Sequence, residues 1–261
     1  MPPPLPSNLK RTFALCYGLL ALVAGSVSSA YQIAFVGNFV LPHSVDRGGQ
    51  SGPTVLALSI DTILLGLFGL QHSIMARPWF KSWWNKWIST SMERATYVIL
   101  VGLTYALLFW QWRLIPVVLW NVEQPAAVWL LRLLFAGGWV LVLWSSYLIN
   151  PWDMWGFRHV WAYIQGVPYK SLDIQVLGPY RWIRHPIMLG LFVAFWASPL
   201  MTLGHALFAA MMTAYGTIAT VWEEKDLVRN FPDYEQYRNS TPMILPRLGR
   251  RRNGLEGKRW I

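Results

Sequence analysis

The residues best placed to do chemistry lie in two short polar segments. The first is Gly178-Pro179-Tyr180-Arg181-Trp182-Ile183-Arg184-His185-Pro186, which leads straight into an apolar run. Gly178-Pro179 is a turn dipeptide. Pro186 suits the first position of a helix, where its missing N–H costs nothing. Arg184 and His185 therefore stand at a helix N-terminus. Free backbone donors and two basic side chains there make a site for a carboxylate or a phosphate. A basic pair exceeds what anchoring at a membrane surface requires, whereas Arg181 alone suits an interfacial anchor equally well. The second segment is Trp222-Glu223-Glu224-Lys225-Asp226-Leu227, followed by Phe231-Pro232-Asp233-Tyr234-Glu235-Gln236-Tyr237. Glu223 and Glu224 could accept hydrogen bonds from ribose hydroxyls, or pair with Arg181 and Arg184. Tyr234 and Tyr237 share one helix face and could pack an adenine ring, or simply pack the interior.

Between and before these segments the chain is built for lipid. It has 261 residues, with 54% hydrophobic and only 13% charged, against the roughly 25% charged of a soluble domain. Many of the 17 Trp residues stand near the ends of apolar runs, as membrane interfaces favour. A span needs about 20 apolar residues. Four are predicted, over 12–36, 54–76, 95–112 and 127–149. Ser28-Ser29-Ala30 faintly resembles a signal cleavage site, but the run is too long for a signal h-region and reads as a retained first helix. A polar, aromatic-rich connection covers 150–185. The apolar stretch 186–222 is too long for one ordinary helix. Pro199 and Gly204 interrupt it, so it reads as a helical hairpin. The expected fold is all-α: a polytopic membrane bundle of four long helices plus this hairpin, five to six crossings in all. Residues 12–149 form its N-terminal part, 150–246 its second part, and 247–261 a flexible basic tail, all within one membrane domain.

The net charge of +10 would suggest nucleic acid in a soluble protein. Here Lys and Arg gather at Lys10 and Arg11, at Arg77, Lys81, Lys86 and Arg94, at Arg158, Lys170, Arg181 and Arg184, and in the tail. The alternate loops hold essentially Arg47 and Arg113. This is a positive-inside pattern: both termini face the cytoplasm, the basic surfaces meet anionic lipid, and no nucleic acid is implied. Cys16 is the single cysteine, so neither an internal disulfide nor a cysteine metal site is possible. The five His residues lack the i, i+3 or i, i+4 spacing of a helical ligand pair, so no metal is expected. There is no G-x-G-x-x-G and no P-loop.

The pattern Gly-Pro-Tyr-Arg-x-x-Arg-His-Pro-x-x-x-Gly over 178–190 is paired with Glu-Glu-x-x-Leu-x-x-x-Phe-x-x-Tyr-x-x-Tyr over 223–237, ending in Pro246. Together they resemble the isoprenylcysteine carboxyl methyltransferase superfamily, which is also similar to phospholipid methyltransferases. The resemblance implies S-adenosyl-L-methionine bound on the cytosolic side by Gly178, Tyr180, Arg181, Arg184, His185, Pro186, Leu189, Glu223, Glu224, Tyr234 and Tyr237. A family Tyr one residue after His-Pro is replaced by Met188, which touches substrate choice or packing more than cofactor binding. Three further segments are Gln71 to Arg77, Glu93 to Tyr97 and Asn150 to Arg158. They resemble the bacterial branch that holds methanethiol S-methyltransferases and the denitrification-associated NnrU proteins.

That branch implies an enzyme of the bacterial inner membrane, its site facing the cytoplasm, that methylates a small thiol, methanethiol, to dimethyl sulfide. A thiolate and a sulfonium lose charge in the transition state, so a dry pocket favours reaction. An alkyl thiol is a weaker acid than cysteine, whose pKa is about 8.5, so a base or an electropositive site helps. His72 is a candidate base. Asp153 could orient a base or pair with Arg158, and Tyr97 completes the candidate set. His159 reads as a hydrogen-bonded structural residue. Rival readings are a methyltransferase for a lipid amine or a prenylcysteine carboxylate, a non-catalytic NnrU-like membrane protein, and a small transporter. A transporter should place ionisable residues mid-membrane, and Asp61 is the one clear acid inside a predicted span. The sequence carries no signal for an oligomeric state.

Overall fold

The computed structural model describes residues 7–50, 52–172, 176–231 and 233–246. The tail expected over 247–261 lies outside the described residues. The described chain is helical, with α1 Asn8–Gly37, α2 Thr54–Ala76, α3 Pro78–Trp84, α4 Thr90–Gln111, α5 Pro125–Ile149, α6 Pro151–Met154, α7 Phe157–Gln165, α8 Pro186–Trp196, α9 Leu203–Asn230 and α10 Tyr234–Ser240. Four of these, α1, α2, α4 and α5, are long and apolar enough to cross a membrane. The protein is a polytopic helical membrane protein. Leu19, Leu20, Val23 and Val27 on α1, and Leu130, Leu133 and Leu134 on α5, are exposed. In water such rows would be a liability; against lipid they are the ordinary outer face.

Contacts divide the chain into two compact units. The first comprises residues 1–116 and 150–171 and holds α1 to α4 with α6 and α7. Close helix approach in it depends on small residues, since lipid offers no hydrophobic drive between helices. A side chain at Gly18 of α1 would press on Val160 and Phe157 at 3.0–3.3 Å, and one at Gly25 on Trp155 at 3.0 Å. Ala14, Ala21, Ala95, Val98 and Val160 form the buried cluster between α1, α4 and α7. Two hydrogen bonds tie α1 to α4: Tyr17 with Thr96 at 2.9 Å, and Gln32 to Tyr105 at 3.0 Å. Asp61 is buried and accepts the Arg113 backbone N–H at 2.9 Å.

The second unit comprises 117–149 and 172–261 and holds α5, α8, α9 and α10. A short antiparallel pair, β1 Val118–Asn121 with β2 Leu200–Thr202, was not expected from sequence. Helices α5 and α8 meet backbone to backbone: a Cβ on Gly138 would lie 2.6 Å from the Gly190 carbonyl oxygen. With 11 residues, α8 is about 16 Å long, roughly half the apolar core of a bilayer.

Three boundaries differ most from expectation. The first helix starts at Asn8, just past the proline-rich start. The helix expected from residue 95 starts at Thr90, because Ser89 caps it and accepts the Ser91 N–H at 3.3 Å. In the hairpin, Pro199 falls in the break but Gly204 does not. The helix is already under way at Leu203, with the Thr202 hydroxyl accepting the His205 N–H at 3.2 Å. It then continues to Asn230, past the expected end at 222, so Glu223 and Glu224 are helical.

Candidate active site

In the second unit the two polar segments converge. Gly178 opens a 3-10 turn, Gly178–Arg181, with φ +51°, and a Cβ there would lie 2.7 Å from Leu148. Both the left-handed backbone and the close approach require glycine. The turn sets Tyr180 against α5, its hydroxyl donating to the Ser145 carbonyl at 3.4 Å. Arg181 ends the turn with its side chain exposed. Pro186 takes the first position of α8, and the Leu189 N–H bonds the His185 carbonyl at 3.2 Å.

Arg184 and Glu224 make the central pair. Arg184 Nε donates to Glu224 Oε1 at 2.6 Å and Nη2 to Oε2 at 3.0 Å. This two-pronged geometry is the strong form of the arginine–carboxylate contact. The side chains are 9% and 12% exposed. His185 Nε2 also meets Glu224 Oε1, at 2.9 Å, and its Nδ1 lies 4.0 Å from Glu223 Oε2. Arg184 Nη1 donates to the carbonyls of Arg238, at 2.6 Å, and Thr241. The Arg184 and His185 backbone N–H groups bond the carbonyls of Pro242 and Met243 at 2.9 and 3.0 Å. Burial pushes the Glu224 carboxyl up, but hydrogen bonds from Arg184 and His185 outweigh it and hold Glu224 below the usual carboxylate range. Glu223 is more than half exposed.

The tyrosines stand behind this pair. Tyr234 and Tyr237 are buried and pack on Val176, with Leu227, Val228 and Phe231 around them. Tyr237 donates to the Tyr180 carbonyl at 2.5 Å, and Tyr234 reaches Glu224 Oε1 at 3.5 Å. Burial raises the phenol pKa of Tyr180, Tyr234 and Tyr237, so all three remain neutral donors.

The first unit holds the other four predicted residues in two pairs. The His72 ring packs edge-on to Tyr97 at 5.3 Å, and the Tyr97 hydroxyl lies 3.4 Å from the His72 carbonyl. Asn150, at φ +93°, caps α6 by accepting the N–H groups of Trp152 and Asp153. This places Asp153, whose Oδ1 pairs with Arg158 at 2.9 Å and accepts the Tyr169 hydroxyl at 2.8 Å. Burial, and the bond to Asp153, push Tyr169 up to about 12. The His159 ring stacks on Tyr169 at 3.7 Å, and burial lowers its pKa. Arg94 joins the two pairs: its Nε donates to the Met154 carbonyl at 3.0 Å, and its guanidinium lies 5.2 Å from the centre of the Tyr97 ring. No group of three or more metal-ligating side chains occurs among the described residues.

Comparison with known proteins assigns the chain. The methanethiol S-methyltransferase of Mycobacterium tuberculosis is 44% identical over 239 residues, 91% of this chain and 98% of that protein. The chain belongs to the methanethiol S-methyltransferase family. The methanethiol S-methyltransferase of Crocosphaera subtropica is 42% identical over 94% of this chain and 96% of its own length. A Nurim homolog of Drosophila pseudoobscura is 29% identical over 67% of this chain and 70% of its own. No family profile and no solved structure matches. Membership makes the chain a methyltransferase, one that draws on a methyl donor.

Three contributors within this methyltransferase were not singled out from sequence. The carbonyls of Arg238, Thr241, Pro242 and Met243 carry no side-chain signal. Tyr169 sits in an irregular segment with no periodicity. Arg94 counts in the sequence as one of the charges at a membrane edge and as part of the Glu93 to Tyr97 segment, with no role of its own.

Proposed function

We propose that the protein transfers a methyl group from S-adenosyl-L-methionine to methanethiol, giving dimethyl sulfide. The near full-length likeness to methanethiol S-methyltransferases carries this reading. The donor brings a methyl group activated by a sulfonium. It is a zwitterion with a ribose and a purine, and the second unit offers groups suited to each. Arg181 and the outer ring nitrogen of His185 suit its carboxylate, Glu223 suits its ammonium or ribose hydroxyls, and Arg184, its guanidinium taken by Glu224 and the Arg238 and Thr241 carbonyls, braces the site from behind. Glu224 holds Arg184 and His185 in place. Gly178, Tyr180, Pro186, Leu189, Tyr234 and Tyr237 shape and back the site.

On the acceptor side we assign His72 and Tyr97 to the thiol, with His72 as the candidate base. Asp153 and Arg158 position the α6–α7 segment through their pair. The charge carried by a thiolate and a sulfonium is lost as the methyl moves, so excluding water favours the transition state. Alignment of the attacking sulfur supplies much of the remainder. The positive-inside distribution supports a bacterial inner-membrane location with both termini and the donor site at the cytoplasmic face. The protein in detergent or nanodiscs is offered the methyl donor with methanethiol, a lipid amine or a prenylcysteine. Methylation of methanethiol alone is expected; preferential methylation of either of the others would overturn the substrate assignment.

A further inference from the structure

We infer that Arg94 is the anion-receiving residue for the acceptor: its guanidinium binds the sulfur of the bound thiol as the thiolate and favours its ionisation. The inference rests on the methyl-transfer reading above. An arginine at a membrane edge ordinarily extends its head toward water. Arg94 is instead half-buried and pinned by two contacts, the Met154 carbonyl at Nε and the Tyr97 ring beneath its guanidinium. Both contacts orient the group, and neither neutralises it.

The neighbouring acids are already engaged. Glu93 pairs with Lys81 at 3.1 Å and accepts from Asn85 at 2.9 Å. Asp153 is taken by Arg158 and Tyr169. Among the described residues no carboxylate lies within 4.0 Å of Arg94, and its two terminal nitrogens make no hydrogen bond. A half-buried cation left uncompensated is costly unless an anion completes it. Beside it stand the Tyr97 and His72 rings, a surface suited to a small, soft, apolar monoanion rather than to a hydrated one.

Alkyl thiols are mostly protonated near neutrality, so a nearby cation raises the reactive fraction. The thiol S–H bond breaks and its proton passes to His72, the candidate base, and from there to water. The thiolate lone pair forms the new carbon–sulfur bond, and the methyl–sulfonium bond breaks with its pair left on the donor sulfur. The products are dimethyl sulfide, S-adenosylhomocysteine and one proton. Other titratable or charged groups around Arg94 are Glu93 and Tyr97 on α4, His72 on α2, Tyr17 on α1, Asp153 on α6, Arg158 and His159 on α7, and Tyr169. Burial lowers the pKa of His159, so its titration belongs to the acid limb of a pH profile. The thiol governs the alkaline limb.

The test compares full-length wild type, Arg94→Gln and Arg94→Lys by kcat/KM for methanethiol between about pH 6 and 10, with donor affinity and melting temperature as controls. In Arg94→Gln we expect a loss of about 10- to 1000-fold at neutral pH. That loss shrinks as pH rises toward the thiol's own ionisation, and it is smaller for the more acidic trifluoroethanethiol. Arg94→Lys keeps the charge and most of the wild-type profile. The ratio of the two thiols is taken within each preparation, so partial unfolding cancels. Two results would overturn the role: a glutamine variant within twofold of wild type at every pH, or equal losses in both variants with an unchanged thiol ratio, which would make Arg94 a clamp on Met154. A wild type inactive on every thiol overturns the underlying reaction reading, and the inference with it.

Discussion

Consider Glu224→Gln. The carboxylate serves Arg184 twice, at 2.6 and 3.0 Å, and His185 once, at 2.9 Å, with the Arg184 and Glu224 side chains only 9% and 12% exposed. Breaking a buried pair by removing one charge costs about 3–5 kcal/mol, because the other charge stays buried. Arg184 retains the Arg238 and Thr241 carbonyls as acceptors, so the lower end, about 3 kcal/mol, applies. At about 2–4 °C per kcal/mol for a chain of this size, the melting temperature falls by about 6–12 °C. The assay is thermal unfolding in detergent, alone and with the methyl donor. Arg184→Met should cost a similar amount. The double variant Arg184→Met/Glu224→Gln removes both charges and should fall short of the sum of the singles by about 0.5–3 kcal/mol. A Glu224→Gln protein that melts within about 1 °C of wild type, or two substitutions that simply add, would show that this pair does not hold the second unit together.

Acid titration and two glycine contacts give three further expected outcomes. Glu224 has a depressed folded-state pKa, so its contribution to stability is fully present above its unfolded value, about 4.3. It is lost as pH falls through the depressed value; melting curves between about pH 7 and 3 should show an acid decline that Glu224→Gln lacks, and an unchanged decline in the variant would contradict the linkage. Gly156 has φ +83°, and a Cβ there would lie 2.6 Å from the Ala95 nitrogen. Gly156→Ala should destabilise the first unit by about 1–3 kcal/mol, read as earlier unfolding, while Gly137→Ala, which meets nothing within 4 Å, serves as a neutral control. Gly190→Leu drives a side chain into the Gly138 carbonyl, where even a Cβ would lie at 2.5 Å; overpacking of about 1–3 kcal/mol or more should lower both melting temperature and donor affinity.

Much of this fold is legible in the chain because lipid imposes simple rules. The apolar run over 54–76 coincides with α2, whose start after Pro53 and end before Arg77-Pro78 are marked by residues that disfavour helix. The meeting of Arg184-His185 with Glu223-Glu224 was also foreseeable, since a hairpin returns its own ends. The partners within that meeting were not. Whether Arg184 turns to Glu224 or outward depends on the carbonyls of Thr241 and Arg238, and a backbone oxygen has the same sequence signature everywhere. The β1–β2 pair escaped notice because Val118 to Asn121 is too short for a period-2 pattern to stand out. Likewise Tyr97 and His72 are 25 residues apart on different helices, and only packing decides that their rings touch.

Following the methyl group itself decides whether the chain carries out this transfer. Purified protein is supplied with S-adenosylmethionine carrying a trideuterated methyl and with unlabelled methanethiol, and the headspace is analysed by mass spectrometry. Dimethyl sulfide bearing three deuterium atoms, formed in equal amount to S-adenosylhomocysteine, is the predicted result. Normal donor binding with no labelled dimethyl sulfide would contradict it.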